Sequence, residues 1–189
     1  MTRLRRVVIT GSESVGKTTL GLQLAAHYHV LCVPEYVREF TRLKGTPPVL
    51  ADREGLARGQ ASYEDEYIDR SRALGNTLLL HDTDLVSNVA YSHHYFGDCP
   101  PALEALAIAR RADHYLLLDI DVPWIADGVR DRGDRREEMH TLFVTTLDRL
   151  GAPYTIVRGD WPERLSIATN LIDTLLSSPP SPFNLADHE

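Results

Sequence analysis

The chain has 189 residues, a formal net charge of −7, 43% hydrophobic and 25% charged side chains, the makeup of an ordinary globular domain with a core of its own. The acid excess disfavours a general nucleic-acid partner, since binding a phosphate backbone takes a basic surplus. No apolar run approaches the roughly 18 residues of a membrane helix, and the only two cysteines, Cys32 and Cys99, lack metal-like spacing and read as reduced thiols of a cytoplasmic protein.

Taken in order, "LRRVVIT" (4–10) ends in β-branched residues and reads as a buried strand. It runs straight into "GSESVGKT" (11–18), so its basic start does not read as a signal peptide. "KTTLGLQLAAHY" follows as a helix with Leu20, Leu24 and Tyr28 on one face. "VLCV" (30–33) is a second short strand ended by Pro34. Residues 54–74 read as a long helix with Leu56, Gln60, Tyr63 and Tyr67 at helical spacing. "TLLLHD" (77–82) reads as a strand, 83–97 as a helix stopped by Gly97, and 101–111 as a helix started by Pro101. Strands at 114–120 and 152–159 and a closing helix at 161–176 complete a single domain over 1–176, and "SSPPSPFNLADHE" (177–189) reads as a disordered tail. Alternating strands and helices predict an α/β fold with a parallel sheet of about five strands. Ligands then lie beyond the carboxyl ends of the strands.

The stretch 11–18 fits G-x-x-x-x-G-K-[ST] between a strand and a helix, the pattern of a loop whose backbone N–H groups cradle phosphates. Gly11, Ser12, Glu13, Ser14, Val15, Gly16, Lys17, Thr18 and Thr19 are therefore the expected ATP-binding residues. Lys17 would reach the β- and γ-phosphates, and the Thr18 hydroxyl would hold Mg²⁺. Of 20 basic side chains only Lys17 and Lys44 are lysine. One of them thus falls where a compact ammonium fits among phosphate oxygens and a planar guanidinium does not.

Asp82 directly follows a buried strand, where a carboxylate meets the Mg²⁺ shell or simply caps a helix. Asp84, two residues on, could reach a substrate hydroxyl. Glu35, just after the second strand, could accept the proton of an attacking hydroxyl, and Arg38 lies one turn further on, the alternative being a surface ion pair within a short helix. Arg130, Arg132, Arg135 and Arg136 occupy a glycine-broken segment that reads as a lid over ATP at about 124–139, with Arg130 its leading candidate and Arg135 a second ATP contact. His93 and His94 are adjacent and point to different sides of a helix, which argues against a histidine metal site.

No N-K-x-D guanine reader is present, and a short single domain with a lid suits a small-molecule kinase. The blocks "GSESVGKTTL", "PEYVREF", "REGLARGQ", "HDTDLVSNVAYSHHYFG", "YLLLDIDVPWIADGVRDRGDRR" and "ER" at 163–164 together resemble the ribosylnicotinamide kinase domain of the NadR family, from about residue 5 to 170. The resemblance implies a P-loop nucleoside/nucleotide-kinase-like fold and ATP- and Mg²⁺-dependent phosphorylation of the 5′-hydroxyl of nicotinamide riboside. It places Tyr36, Asp84, Tyr91 and Trp124 near that substrate, where aromatic faces suit a cationic ring. Relatives usually carry tryptophan where Tyr91 aligns. The repressor and adenylyltransferase domains that often accompany this domain do not fit in the present chain, so neither activity is implied. A kinase for another nucleoside or small metabolite, and an ATP-binding regulator with little turnover, remain the alternatives. Neither a nucleic-acid nor a membrane partner is expected, and the sequence leaves the oligomeric state open.

Overall fold

Five short runs rich in leucine and β-branched residues pair into one sheet in the computed structural model, which describes residues 3–123 and 135–178. The strands are β1 (Arg5–Gly11), β2 (Cys32–Val33), β3 (Leu78–Asp82), β4 (His114–Leu118) and β5 (Tyr154–Val157). They lie in the order β2-β3-β1-β4-β5, and every neighbouring pair is parallel. Seven α-helices connect and follow them among the described residues: α1 (Lys17–Tyr28), α2 (Tyr36–Lys44), α3 (Arg53–Ala73), α4 (Leu85–Phe96), α5 (Pro101–Ala109), α6 (Arg136–Arg149) and α7 (Trp161–Ser177). None of the described helices is long and apolar enough to cross a membrane.

Helices cover both faces of the sheet, which is why its central strands are apolar on successive residues rather than alternately. Val8, Tyr115 and Leu117 turn to one side and pack with α4, α5 and α6. Val7, Ile9, Leu80, Leu116 and Leu118 turn to the other and pack with Leu20 and Leu24 of α1 and Ala168 and Ile172 of α7. Ile9 pairs with Asp82 and Gly11 with Leu118. The carboxyl ends of β3, β1 and β4 therefore stand side by side, where β1 turns into α1.

Two sequence expectations change. The stretch between the arginine-rich segment and β5 is a full helix, α6, anchored by buried Met139, Phe143 and Leu147, with Leu150 just beyond its end. It begins inside the segment read as a lid. In α3 the buried face runs through Ala57, Gln60, Glu64 and Ser71 instead of Leu56, Tyr63 and Tyr67. This helix lies over a polar network, and its larger apolar residues turn toward a cavity and toward α2.

Candidate active site

β1 ends at Gly11, whose φ of +135° and position leave no room for a side chain: a Cβ there would stand 2.9 Å from the Leu118 carbonyl oxygen. Gly16 closes the loop as the N-cap of α1 at φ +88°, and the Trp161 ring lies against it so closely that a Cβ would fall 2.2 Å from the ring. Ser14 between them also has positive φ. Ser12, Glu13 and Val15 are buried, whereas Thr18 and Thr19 are exposed. The first turn of α1 carries no acidic residue, so the partial positive charge of the helix start is left for an anion. Lys17 Nζ donates to the carbonyls of Gly11 at 3.0 Å and Ser12 at 2.7 Å, which sets the ammonium across the loop.

At the end of β3 the Thr18 hydroxyl donates to Asp82 Oδ2 at 2.5 Å. The other oxygen, Oδ1, is buried with no hydrogen-bond partner. Burial and the neighbouring Glu35 carboxylate raise the Asp82 carboxyl above its ordinary range, against the pull of Thr18, Lys17 and Arg38. Thr83 then turns the chain at φ +66°, an uncommon conformation for a β-branched residue, with its N–H donating to the Ile9 carbonyl at 3.0 Å.

That turn separates the two aspartates of "HDTD". Asp82 faces the phosphate loop, whereas Asp84 is the N-cap of α4. Asp84 Oδ1 accepts from the Ser87 backbone and hydroxyl at 3.0 and 3.1 Å, and Oδ2 accepts from the Tyr115 hydroxyl at 2.7 Å. It is buried and is absent from the lining of the cavity described next. The structure thus sets Asp84 apart from the cavity: Oδ1 serves the start of α4 and Oδ2 is taken by Tyr115 of β4.

A cavity of about 650 Å³ lies between α2, α3 and α4, and Glu35, Tyr36, Arg38 and Tyr91 all line it, as do Asn88 and Tyr95. Glu35, buried, is the N-cap residue of α2, and its Oε2 accepts from Arg38 Nε at 3.0 Å. α3 fixes this corner: Gln60 Oε1 accepts from the Tyr36 backbone at 3.1 Å, and Gly59 leaves space that the Tyr36 ring fills, at 2.0 Å from where a Cβ would stand. Tyr91 stacks on Tyr95 with centroids 6.2 Å apart, and Phe143 meets it edge-on. The Tyr95 hydroxyl donates to Glu13 of the phosphate loop, so the cavity wall and the loop touch. Asn88 and Tyr95 were not singled out from the sequence, yet their spacing of three and four residues from Tyr91 puts all three on one helix face.

Trp124 and Arg130 lie outside the described residues, as does the lid segment up to residue 134. Arg135 begins α6 as its N-cap and pairs with Glu138, Nε to Oε2 at 2.7 Å. One group of possible metal ligands exists among the described residues, His93, Cys99 and Glu104, with ligand atoms within 4.8 Å of one another. Two of its ligands are already engaged by a guanidinium, because Arg149 donates to Glu104 at 2.7 Å and approaches His93 Nε2 at 3.4 Å. The group is an ion-paired cluster joining α4, α5 and α6.

Comparison with known proteins bears on the family and the fold. The chain is 35% identical over 151 residues to the trifunctional NAD biosynthesis/regulator protein NadR of Escherichia coli (strain K12), a match that takes in 77% of this chain and 36% of the relative. It thus spans well under half the length of that protein. Among solved structures, NadR in complex with NR superposes with a TM-score of 0.77 at 22% identity, over 94% of this chain and 53% of that one. NadR in complex with NAD and AMP-PNP gives 0.78 at 20%, over 94% and 51%. Thymidylate kinase from Ehrlichia chaffeensis gives 0.64 at 15%, over 89% and 99%, and these likenesses establish the P-loop kinase fold. The AAA domain family AAA_28 matches residues 6–164, a span that holds the phosphate loop, Asp82 and the whole cavity lining; the chain belongs to this family.

Proposed function

We propose that the chain is a ribosylnicotinamide kinase, transferring the γ-phosphoryl group of ATP to the 5′-hydroxyl of nicotinamide riboside to give nicotinamide mononucleotide, in the cytoplasm. The observation that carries this reading is the placement of Glu35. It lines the aromatic cavity and also acts electrostatically on Asp82, which is bonded to Thr18 of the phosphate loop. Acceptor and phosphate sites thus share one border. The name of the E. coli relative and the ligands of the two NadR structures support the substrate pair.

In this reading the loop from Gly11 to Thr19 binds ATP, and Lys17 leaves its loop carbonyls to meet the phosphates. Tyr36, Tyr91 and Tyr95 hold the acceptor ring, a cationic pyridinium whose positive charge favours aromatic faces. Glu35 accepts the proton of the 5′-hydroxyl as its oxygen bonds to the γ-phosphorus and the bond to the ADP oxygen breaks. Arg38 keeps that carboxylate in place.

Mg²⁺ fits at Thr18 and Asp82: a hydroxyl and a carboxylate are the hard oxygen donors it takes, and the buried, unpartnered Asp82 Oδ1 is an acceptor awaiting a donor or a cation. When bound, the ion would neutralise charge on the phosphates. Incubation with ATP, Mg²⁺ and nicotinamide riboside, followed by mass and ³¹P spectroscopy, should reveal a 5′-phosphomonoester and ADP in equal amounts. ADP without phosphorylated nucleoside would refute the transfer.

A further inference from the structure

The "ER" pair at 163–164 has no part in the chemistry above, yet Arg164 has no exposed surface at all. Its guanidinium reaches three separate places. Nε donates to the Gly159 carbonyl after β5 at 2.9 Å, Nη1 to the Val15 carbonyl in the phosphate loop at 3.0 Å, and Nη2 to the Asp119 carbonyl after β4 at 3.1 Å. Nη2 also meets the Asp121 carboxylate. That carboxylate accepts from the Gly159 N–H at 2.6 Å through its other oxygen. The Trp161 ring, which lies against Gly16, sits 5.8 Å from the guanidinium. Glu163 fixes the start of this helix in a reciprocal cap with Asp160, at 2.9 and 3.0 Å.

We infer that Arg164 is a positioning residue for nucleotide binding, which sets the Val15–Gly16 peptide of the phosphate loop by tying it to the ends of β4 and β5. That peptide is trans, so its C=O and N–H point in opposite directions. With the Val15 carbonyl drawn to Arg164, the Gly16 N–H is held facing away from it. A loop that binds through N–H groups depends on such aim, because donors that are already oriented need no rearrangement when the anion arrives. Arginine suits the task because its planar fork serves several acceptors at fixed angles, which a lysine ammonium does not. Two carbonyl contacts at the ends of β4 and β5 anchor the fork to the sheet, and the third passes that anchor to the loop. The inference rests on reading residues 11–18 as a nucleotide loop, so the wild-type protein is measured first.

The test is calorimetric titration of ADP, and separately of nicotinamide riboside, into wild type and Arg164→Lys, with Tm from circular dichroism. The expected result is a folded variant whose ADP affinity falls about tenfold or more, with acceptor affinity changed less than about twofold, since several charge-assisted contacts are lost on the nucleotide side only. A folded variant with unchanged ADP affinity, or one losing both ligands in proportion, would overturn it. Should Arg164→Lys not fold, Asp121→Asn decides. The Asp121 side chain is 37% exposed, and the asparagine leaves the fork on its carbonyls without its counter-charge. It should weaken ADP by about threefold with no change for the acceptor, and an unchanged ADP affinity refutes the proposal. Wild type that binds no ADP would instead remove the nucleotide-loop reading itself, and this inference with it.

Discussion

The phosphate loop and the aromatic cavity, joined by the bond from Tyr95 to Glu13, are built in opposite ways. The loop is one uninterrupted stretch, Gly11 to Thr18, whose working parts are backbone N–H groups aimed by two glycines and the start of α1. The cavity is made of side chains from α2, α3 and α4, with contributors from Glu35 to Leu103. Its shape depends on contacts between elements far apart in the chain, such as Gln60 with the Tyr36 backbone. A site built from backbone tolerates changes at most of its side chains and fails at a few. A site built from side chains can lose one ligand and keep the other.

The largest effect should come from the loop. Lys17→Ala is expected to lower kcat by a factor on the order of 10³, from the loss of a preorganised charge on the transferring group, while the circular dichroism spectrum stays native. Near-normal turnover would sink the role given to the loop. Next comes the border residue: Glu35→Gln should lower kcat on the order of 10²-fold with both KM values little altered, as expected for a group acting on the attacking hydroxyl. If steady-state kinetics showed a change in KM alone, Glu35 would be a binding residue.

On the cavity side, Gly59→Ala should raise the acceptor KM by about tenfold and leave the ATP KM as it was, because the new methyl occupies the space of the Tyr36 ring. Alanine is favoured over glycine within a helix by about 1 kcal/mol, so this loss would not come with general helix weakening. An unchanged acceptor KM would remove Tyr36 from the site. The smallest effect concerns the support beneath the cavity. Glu64 bonds Gln60 at 3.5 Å and Arg110 at 3.3 Å. Burial and the nearby Asp84 carboxylate push its carboxyl up to about 7 from 4.5, while Arg110 opposes the shift. The folded state then holds this proton more tightly than the unfolded state. Its stabilising contribution is complete below 4.5 and is lost as the pH rises through 7. Thermal melts of Glu64→Gln and wild type should therefore show the variant gaining on wild type between pH 5 and pH 8, and a gap independent of pH would contradict this.

The same contrast explains what could be read in the sequence. β1, the loop and α1 were legible because spacing within one short stretch fixes them, and so was the position of Asp82 and Glu35 at strand ends, since Asp82 closes β3 and Glu35 comes two residues after β2. The aromatic pair Tyr36 and Tyr91 came with the family resemblance and does line the cavity. The separation of Asp84 from Asp82 was not legible, because the turn at Thr83 sends neighbouring aspartates to different surroundings, and nothing in "HDTD" announces a φ of +66° at a β-branched residue. Gly59 and Gln60 stood in a quoted block without a role, since their purpose appears only when Tyr36 arrives beside them. α6 had its signal in Met139, Phe143, Leu147 and Leu150, at spacings of three and four, but the glycines and arginines before it drew attention to a lid. Arg164 stood in the "ER" block without a role: three of its acceptors are backbone carbonyls, from Val15, Asp119 and Gly159, which leave no trace in side-chain identity.

The central claim is that this aromatic, carboxylate-bordered cavity accepts a cationic nucleoside next to the phosphate loop. It is tested most directly by kcat/KM with ATP and Mg²⁺ for nicotinamide riboside against uridine, cytidine, adenosine and thymidine. A cation–π contact contributes about 0.5–2 kcal/mol, up to roughly thirtyfold in preference, so nicotinamide riboside should lead every neutral nucleoside by a margin of that order. A neutral nucleoside that matched or exceeded it would contradict the substrate and leave only a small P-loop kinase.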